Sequence, residues 1–230
     1  MHNQQTTTAV VLRRTDYGEA DRIVTLLTRD FGKLHLIAKG VRRPKSKLAG
    51  GVELFSISNI TFISGRTGMG TLVSARMQKH YGNIVKNIDN TMLGYELIKL
   101  LDKITEDETD PEHFDLLVQT LEALDLGLSV DFMREWFAVQ LLRMNGYTPN
   151  LTTDVSGKKL ESSQTYEFDF DANAFMPKDN APYGADSIKF LRLLFAGTKP
   201  HALAKIDGLE DLVQSTKQIV GFLQQQNLHF

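Results

Sequence analysis

The chain has 230 residues, of which 42% are apolar and 23% charged, a composition typical of a globular protein with one large or two small domains. The absence of cysteine excludes disulfide bonds, thiolate metal sites and cysteine nucleophiles. The polar start lacks the apolar stretch of a secretory signal, and no apolar run approaches the roughly 20 residues that cross a bilayer, so we expect a cytoplasmic protein without a membrane segment.

The small net charge of −2 hides an uneven distribution. Residues 1–80 hold 13 Lys and Arg against 5 Asp and Glu, a net +8, whereas residues 81–230 hold 13 against 23, a net −10. Such asymmetry indicates a region that faces nucleic acid joined to a region with another role. Two domains can also differ in charge by accident, but the positive excess peaks in one dense loop, which favours the first interpretation.

The first 80 residues predict β-structure. Short apolar runs separated by turn residues indicate five strands, at 7–14, 22–28, 33–38, 54–63 and 71–78. In the last strand, strict alternation would place Thr71, Val73, Ala75 and Met77 on one face. Five strands without a long helix predict a small barrel such as an OB-fold, an architecture that commonly binds oligonucleotides.

From about residue 84 the apolar spacing becomes helical. The first helix carries a stripe formed by Met92, Leu93, Leu97, Leu100, Leu101 and Ile104. Asp110 and Pro111 suit the start of a second helix, and Gly146 suits the end of a third over 129–145, whose Trp136 we expect in the core. A short strand is predicted at 166–170, and further helices are predicted at 187–196 and 209–226. We therefore expect an α+β protein with a barrel domain of residues 1–80 and a helical domain of residues 81–230.

The densest positive charge follows the third strand. Within residues 39–47, five of nine side chains are cationic and none is acidic, namely Lys39, Arg42, Arg43, Lys45 and Lys47. Such a cluster suits a polyanion backbone, because each neutralised phosphate releases counterions. A solvated loop that aids solubility is the alternative. Further cations could extend the surface or could simply occupy exposed strand positions: Arg13, Arg14, Arg22, Lys33, Arg66, Arg76 and Lys79. Tyr17, in a turn, is the favoured base-stacking residue, while Phe31 and Phe62 fit the core better.

Catalytic patterns are weak. Asp16, Glu19 and Asp21 could suggest a metal-dependent nuclease, but their position in a turn beside arginines favours a structural role. The glycine-rich segment 65–70 lacks the Lys-Ser/Thr of a phosphate-binding loop, and we expect no enzyme. The acidic helical region could bind a protein partner in an apolar groove lined by cations, for which the candidates are Lys99, Lys103 and Arg143.

Several segments resemble the RecO family of bacterial recombination mediators. The similar segments are 17–24 (YGEADRIV), 28–34 (TRDFGKL), 38–46 (AKGVRRPKS), 48–55 (LAGGVELF) and 143–149 (RMNGYTP). The resemblance implies an N-terminal OB-fold, binding of single- and double-stranded DNA, and annealing of complementary strands. It also implies work with RecR and with the acidic tail of the single-stranded-DNA-binding protein, with RecF as a further candidate, and a location at the bacterial nucleoid.

One departure from the family pattern concerns zinc. Many members carry two CxxC pairs after the GY.P motif, whereas the matching positions here are Thr153, Ser156, Pro177 and Asn180. None is a zinc ligand, so we expect no zinc and no other cofactor, and residues 147–184 represent a degenerate module. Its turns could be held by aromatic side chains instead: Tyr166, Phe168, Phe170 and Phe175.

The favoured interpretation is a non-enzymatic DNA-binding and strand-annealing protein of recombinational repair, which helps load recombinase onto DNA covered by single-strand-binding protein. Two alternatives stay open. One is an adaptor whose basic barrel face meets an acidic protein, and the other is a metal nuclease. Salt-sensitive DNA binding that depends on residues 39–47 would distinguish the favoured interpretation from the adaptor. Intact DNA after incubation with Mg²⁺ or Mn²⁺ would exclude the nuclease.

Overall fold

A computed structural model describes residues 4–65, 68–106 and 109–228. The chain forms two compact units, the first ending at Gly127 and the second beginning at Leu128. The change from strand to helix lies near residue 80, as the apolar spacing indicates, but the first compact unit extends past it because it includes two helices. Across the described residues, no helix is both long enough and apolar enough to cross a membrane.

The first unit contains a closed five-stranded barrel, which confirms the predicted OB-type fold. Its strands are β1 (Gln4–Tyr17), β2 (Asp21–Thr28), β3 (Lys33–Ala38), β4 (Ser56–Ile63) and β5 (Met69–His80). They pair in the order β1-β2-β3-β5-β4, and β1 closes the barrel against β4. Within the barrel, β3 and β5 pair in parallel, and the other described pairs are antiparallel. The interior is filled by alternating apolar residues such as Val24, Leu26, Leu36, Ile60 and Phe62.

The predicted facing of β5 is wrong. Leu72 belongs to the barrel core, and Ala75, which strict alternation places on the opposite face, packs against the same core. The pairing with β4 is irregular at two places, between Ile57 and Ser58 and between Thr61 and Phe62. An extra residue on one strand shifts the pairing by one position and moves the following side chains to the opposite face, so strict alternation fails.

Two helices complete the first unit, α1 (Ile88–Ile104) and α2 (Pro111–Asp125). The predicted start of α2 is confirmed. The carboxylate of Asp110 accepts a hydrogen bond of 2.9 Å from the backbone N–H of Glu112, and Pro111 occupies the first turn, where its missing N–H costs nothing.

Helix α1 packs closely against the barrel, where it contacts β1. Its buried apolar residues are Leu93, Leu97, Ile98 and Leu101. The inclusion of Met92 in this stripe is wrong, because its side chain is 65% exposed. A β-carbon on Gly94 would lie 2.8 Å from the ring of Phe55, so glycine is what allows the close approach.

A cluster of charges fixes the last turn of α1. Lys33, on β3, donates a hydrogen bond of 2.8 Å from its ammonium to the carbonyl oxygen of Asp102, and Arg13 Nε lies 3.0 Å from the Asp102 carboxylate. A cation at the C-terminal end of a helix interacts favourably with its dipole. Two basic side chains of the barrel are therefore used to attach a helix.

The second unit is built around α3 (Val130–Met144), which packs against α4 (Ala185–Phe195) and α6 (Leu209–Asn227). Trp136 is 2% exposed and donates its indole N–H to the carbonyl of Thr198 at 2.9 Å, which confirms its expected core position. A short helix, α5 (Pro200–Leu203), precedes α6.

A small sheet occupies the segment that the sequence analysis interprets as a degenerate zinc module. It consists of β6 (Asn150–Asp154), β7 (Tyr166–Asp169) and β8 (Ala174–Pro177), in the order β6-β8-β7. Of its strands, the sequence predicts β7 alone. The expected aromatic cluster is present, with ring centroids 5.2 Å apart for Phe168 and Phe175 and 6.0 Å for Tyr166 and Phe175.

Asp154 organises the turn at the first of the two degenerate CxxC positions. Its Oδ1 accepts hydrogen bonds from the backbone N–H and the hydroxyl of Ser156, at 2.8 and 2.7 Å, and from the N–H of Lys158 at 3.0 Å. These hydrogen bonds, that from the Ser156 hydroxyl above all, lower the pKa of the Asp154 carboxyl. A carboxylate thus holds this turn, a role that the sequence analysis did not assign to it.

Candidate nucleic-acid interface

The basic loop, residues 39–47, is an ordered series of turns. Gly40 has a φ of 64°, and its N–H donates to the carboxylate of Asp21 at 2.7 Å. The N–H of Arg42 donates to the carbonyl of Ala20 at 2.9 Å. These two bonds attach the basic loop to the turn between β1 and β2. All five of its cationic side chains are exposed: Lys39, Arg42, Arg43, Lys45 and Lys47.

A second group of charges lies directly beside the basic loop. The carboxylate of Asp16, on β1, accepts a hydrogen bond of 2.8 Å from Arg22 Nε and lies 3.5 Å from Arg42 Nη1. The hydrogen bond from Arg22 and the charges of Arg42 and Arg14 lower the pKa of Asp16. The cations of the basic loop and of β2 therefore meet at one carboxylate.

Most of the other predicted DNA-contacting residues pair with carboxylates of the same unit. Arg14 is 24% exposed and pairs with Glu53 at 2.8 Å. Lys33 is only 11% exposed, and it shares Asp102 with Arg13, which is itself 57% exposed. Arg66 lies outside the described residues. The two remaining surface candidates lie on β5, where Arg76 is exposed and Lys79 pairs with Glu122 at 2.7 Å.

The aromatic residues follow the predicted division. Tyr17, at the end of β1, is 53% exposed next to the carboxylate of Asp16 in sequence. Phe62 is 1% exposed and contacts Phe31 edge to face, with ring centroids 5.4 Å apart. Tyr17 therefore presents a ring to solvent at the basic surface, whereas the two phenylalanines belong to the barrel core.

Two of the three clustered carboxylates at the β1–β2 turn have structural partners. Asp16 binds arginines and Asp21 binds the backbone of the basic loop, as described above. Within the part of the chain that the structure describes, no three His, Asp or Glu side chains are grouped so that they could hold a metal ion.

Helix α1 also carries an exposed apolar stripe that the sequence analysis missed. Val85, just before the helix, is 57% exposed, and Ile88, Met92 and Tyr95 are 74%, 65% and 48% exposed. The steps of three or four residues continue to Lys99, which is exposed. The spacing of these residues could have indicated the exposed stripe. It was not recognised because the buried stripe on the adjacent face of α1 has the same helical period.

The candidate partner-binding cations fall on both units. Lys99 and Lys103 are exposed on α1 in the first unit. Arg143 lies near the end of α3 in the second unit, where its Nε donates to the side-chain oxygen of Gln140 at 3.1 Å. Only the two lysines share an element with the apolar stripe.

Comparisons with known proteins agree along nearly all of the chain. The family model described as "Recombination protein O N terminal" matches residues 1–81, and "Recombination protein O C terminal" matches residues 85–228. A DNA repair protein RecO from Halalkalibacterium halodurans is 31% identical over 192 residues, which are 81% of this chain and 75% of that protein. One from Dehalococcoides mccartyi is 30% identical over 195 residues, 82% of this chain and 77% of that protein. Another from the same species is 35% identical over 146 residues, 63% of this chain and 57% of that protein.

Proposed function

The chain belongs to the RecO family of DNA repair proteins, and from this premise we propose that it is a non-enzymatic mediator that binds DNA and anneals complementary strands. In this role it helps to load recombinase onto single-stranded DNA covered by single-strand-binding protein. One observation above all supports the proposal, namely the five exposed cations that the ordered basic loop presents beside Tyr17 and the β1–β2 turn.

The expected mode of binding follows from the chemistry of the basic loop. Lysine and arginine side chains contact phosphates, which carry no base code, so binding is independent of sequence and sensitive to salt. Stacking of a base on Tyr17 would add about 1–3 kcal/mol for single-stranded DNA. Cations that neutralise two backbones also reduce the repulsion between complementary strands, which favours annealing.

Partner binding forms the second part of the proposal. The exposed apolar stripe of α1 ends at Lys99, with Lys103 one turn further on. A peptide that combines apolar side chains with carboxylates suits such a surface, and the acidic tail of the single-strand-binding protein has that composition. RecR is proposed as the main protein partner and RecF as a further one, on the family relationship alone.

The test is fluorescence anisotropy with labelled single-stranded DNA across a salt series. The variant Arg42→Ala/Arg43→Ala/Lys45→Ala removes three phosphate contacts, so the slope of log K against log salt should fall by about 2, at roughly 0.7 per phosphate. The control Lys158→Ala/Lys159→Ala/Lys205→Ala removes the same charge from exposed positions of the second unit and should leave the slope unchanged.

The same experiment separates the alternatives. A folded wild-type protein that does not bind DNA at low salt would refute the proposal and favour the adaptor. Equal losses in the two triple variants would show a general charge effect and remove the basic loop as the site. Incubation of DNA with the protein and Mg²⁺ or Mn²⁺ should leave the DNA intact, and cleavage that Asp16→Asn abolishes would support a nuclease instead.

A further inference from the structure

The carboxylate of Asp16 is held by two arginines from different segments. Its Oδ1 accepts the hydrogen bond from Arg22 Nε at 2.8 Å, and its Oδ2 lies 3.5 Å from Arg42 Nη1. Guanidinium groups bind carboxylates and phosphates through the same geometry, because both anions present paired oxygens to planar N–H donors. In the free protein, the two arginines are therefore already bridged by an oxyanion, which is the carboxylate of Asp16.

This arrangement is open to solvent. The side chains of Asp16, Arg22 and Arg42 are 54%, 29% and 38% exposed. Ion pairs as exposed as these contribute little to stability, so an external anion can replace the carboxylate without unfolding the barrel. A phosphate that approaches from solvent reaches the same N–H groups that Asp16 now occupies.

The two arginines keep their positions without the carboxylate. Arg22 lies within β2, paired with β1 on one side and β3 on the other. The backbone of Arg42 is fixed by its bond of 2.9 Å to the carbonyl of Ala20, and the neighbouring Gly40 by its bond to Asp21. The removal of Asp16 should therefore release the guanidinium groups while the basic loop stays in place.

We infer that Asp16 is an internal competitor for DNA phosphates, which occupies the place between Arg22 and Arg42 in the free protein and is displaced when DNA binds. The inference rests on the proposed DNA-binding function and identifies a residue that limits its affinity. A binder that must load a recombinase also has to release its DNA, and a built-in anion ready to return to the arginines favours release.

The test is the variant Asp16→Asn, which keeps the size and one hydrogen-bond acceptor of the side chain and removes its charge. In the anisotropy assay on the full chain, single-stranded DNA should bind about fivefold more tightly, which is the upper end of the effect of an exposed ion pair. The salt slope should stay close to the wild-type value, because both arginines contact phosphates in the bound state of either protein. An unchanged or weaker affinity would overturn the inference, because Asp16 would then act only as a scaffold for the arginines.

Two further variants make the result specific. Glu19→Gln removes the same charge from the same turn, at an exposed residue, and should raise the affinity less than Asp16→Asn and leave the slope unchanged. Equal gains in both variants would overturn the inference in favour of a general charge effect. In an Arg22→Ala/Arg42→Ala background, Asp16→Asn should give no gain, and a full gain there would equally refute direct competition.

The outcomes also distinguish this inference from the function on which it rests. If wild-type protein fails to bind DNA at low salt, the proposed function fails. If wild-type protein binds and Asp16→Asn binds no more tightly, only the competition fails. Circular dichroism confirms the fold of each variant, and Asp16→Ser provides the same measurement if the asparagine variant does not fold.

Discussion

A buried carboxyl group in the second unit should make its stability depend on pH. Glu135, on α3, is 6% exposed, and its Oε2 has no hydrogen-bond partner, while Oε1 accepts a bond of 2.5 Å from the hydroxyl of Thr216 on α6. Burial raises the pKa of Glu135 from its ordinary value of 4.5 to about 7, against the smaller opposing effects of Thr216 and Lys217. The folded protein therefore binds this proton more tightly than the unfolded chain does.

The sign of the effect follows from the raised pKa. Below pH 4.5 the group is protonated in both states, and its contribution to stability is fully present. As the pH rises to about 7 the unfolded chain ionises first, and above pH 7 the folded protein must carry a buried charge. Between pH 5 and pH 8, a group with these two values costs the folded state roughly 2–3 kcal/mol.

The variant Glu135→Met tests this reasoning. Methionine keeps a similar length without a charge, and the hydroxyl of Thr216 retains the carbonyl of Leu212, at 2.8 Å, as an acceptor. Urea unfolding is followed by the fluorescence of Trp136, the one tryptophan of the chain, which is buried next to Glu135 in sequence. Relative to wild type, the free energy of unfolding of the variant should rise by roughly 2–3 kcal/mol between pH 5 and pH 8. Stability curves that run parallel over this range would refute the argument.

Two glycines and one aspartate give further predictions. Gly94→Ala should destabilise the protein by about 1–3 kcal/mol in urea unfolding, because the new β-carbon would lie 2.8 Å from the buried ring of Phe55. Gly221→Ala, in α6 with nothing within 4 Å of the new atom, should instead stabilise by about 0.5–1 kcal/mol, and a loss there would contradict the helix-propensity argument. Asp102→Ala leaves Lys33 without its carboxylate and should increase hydrogen exchange in the last turn of α1, while unchanged exchange would show that the ion pairs do not hold the helix.

Much of the fold could be predicted from local patterns. Alternating apolar residues and turn residues give the five strands, and the capping residues Asp110 and Pro111 give the start of α2, because these signals lie within a few neighbouring residues. The exposure of the basic loop was equally predictable, since several adjacent cations cannot be buried together. The short elements β6, β8 and α5 were missed, because their four or five residues lack the alternating aromatic side chains that mark β7.

The candidate site depends on contacts that local sequence patterns cannot predict. From the sequence, Arg13 and Lys33 are two more surface cations. The fold brings both to Asp102, which follows Lys33 by 69 residues along the chain. Met92 fits a buried stripe by spacing, yet α1 has two apolar faces, and only packing against the barrel selects the one that is buried. The face of β5 likewise depends on its bulges, which are set by pairing with β4.

The sequence by itself therefore determined the class of fold, the family and the basic loop, because composition, period and motifs are properties of neighbouring residues. Tertiary structure decided which cations stay available to a ligand. The pairing of Asp16 with Arg42 joins residues 26 positions apart and depends on the contact of the β1–β2 turn with the basic loop. An ion pair forms wherever folding brings opposite charges within a few ångströms, and no spacing along the chain encodes that distance.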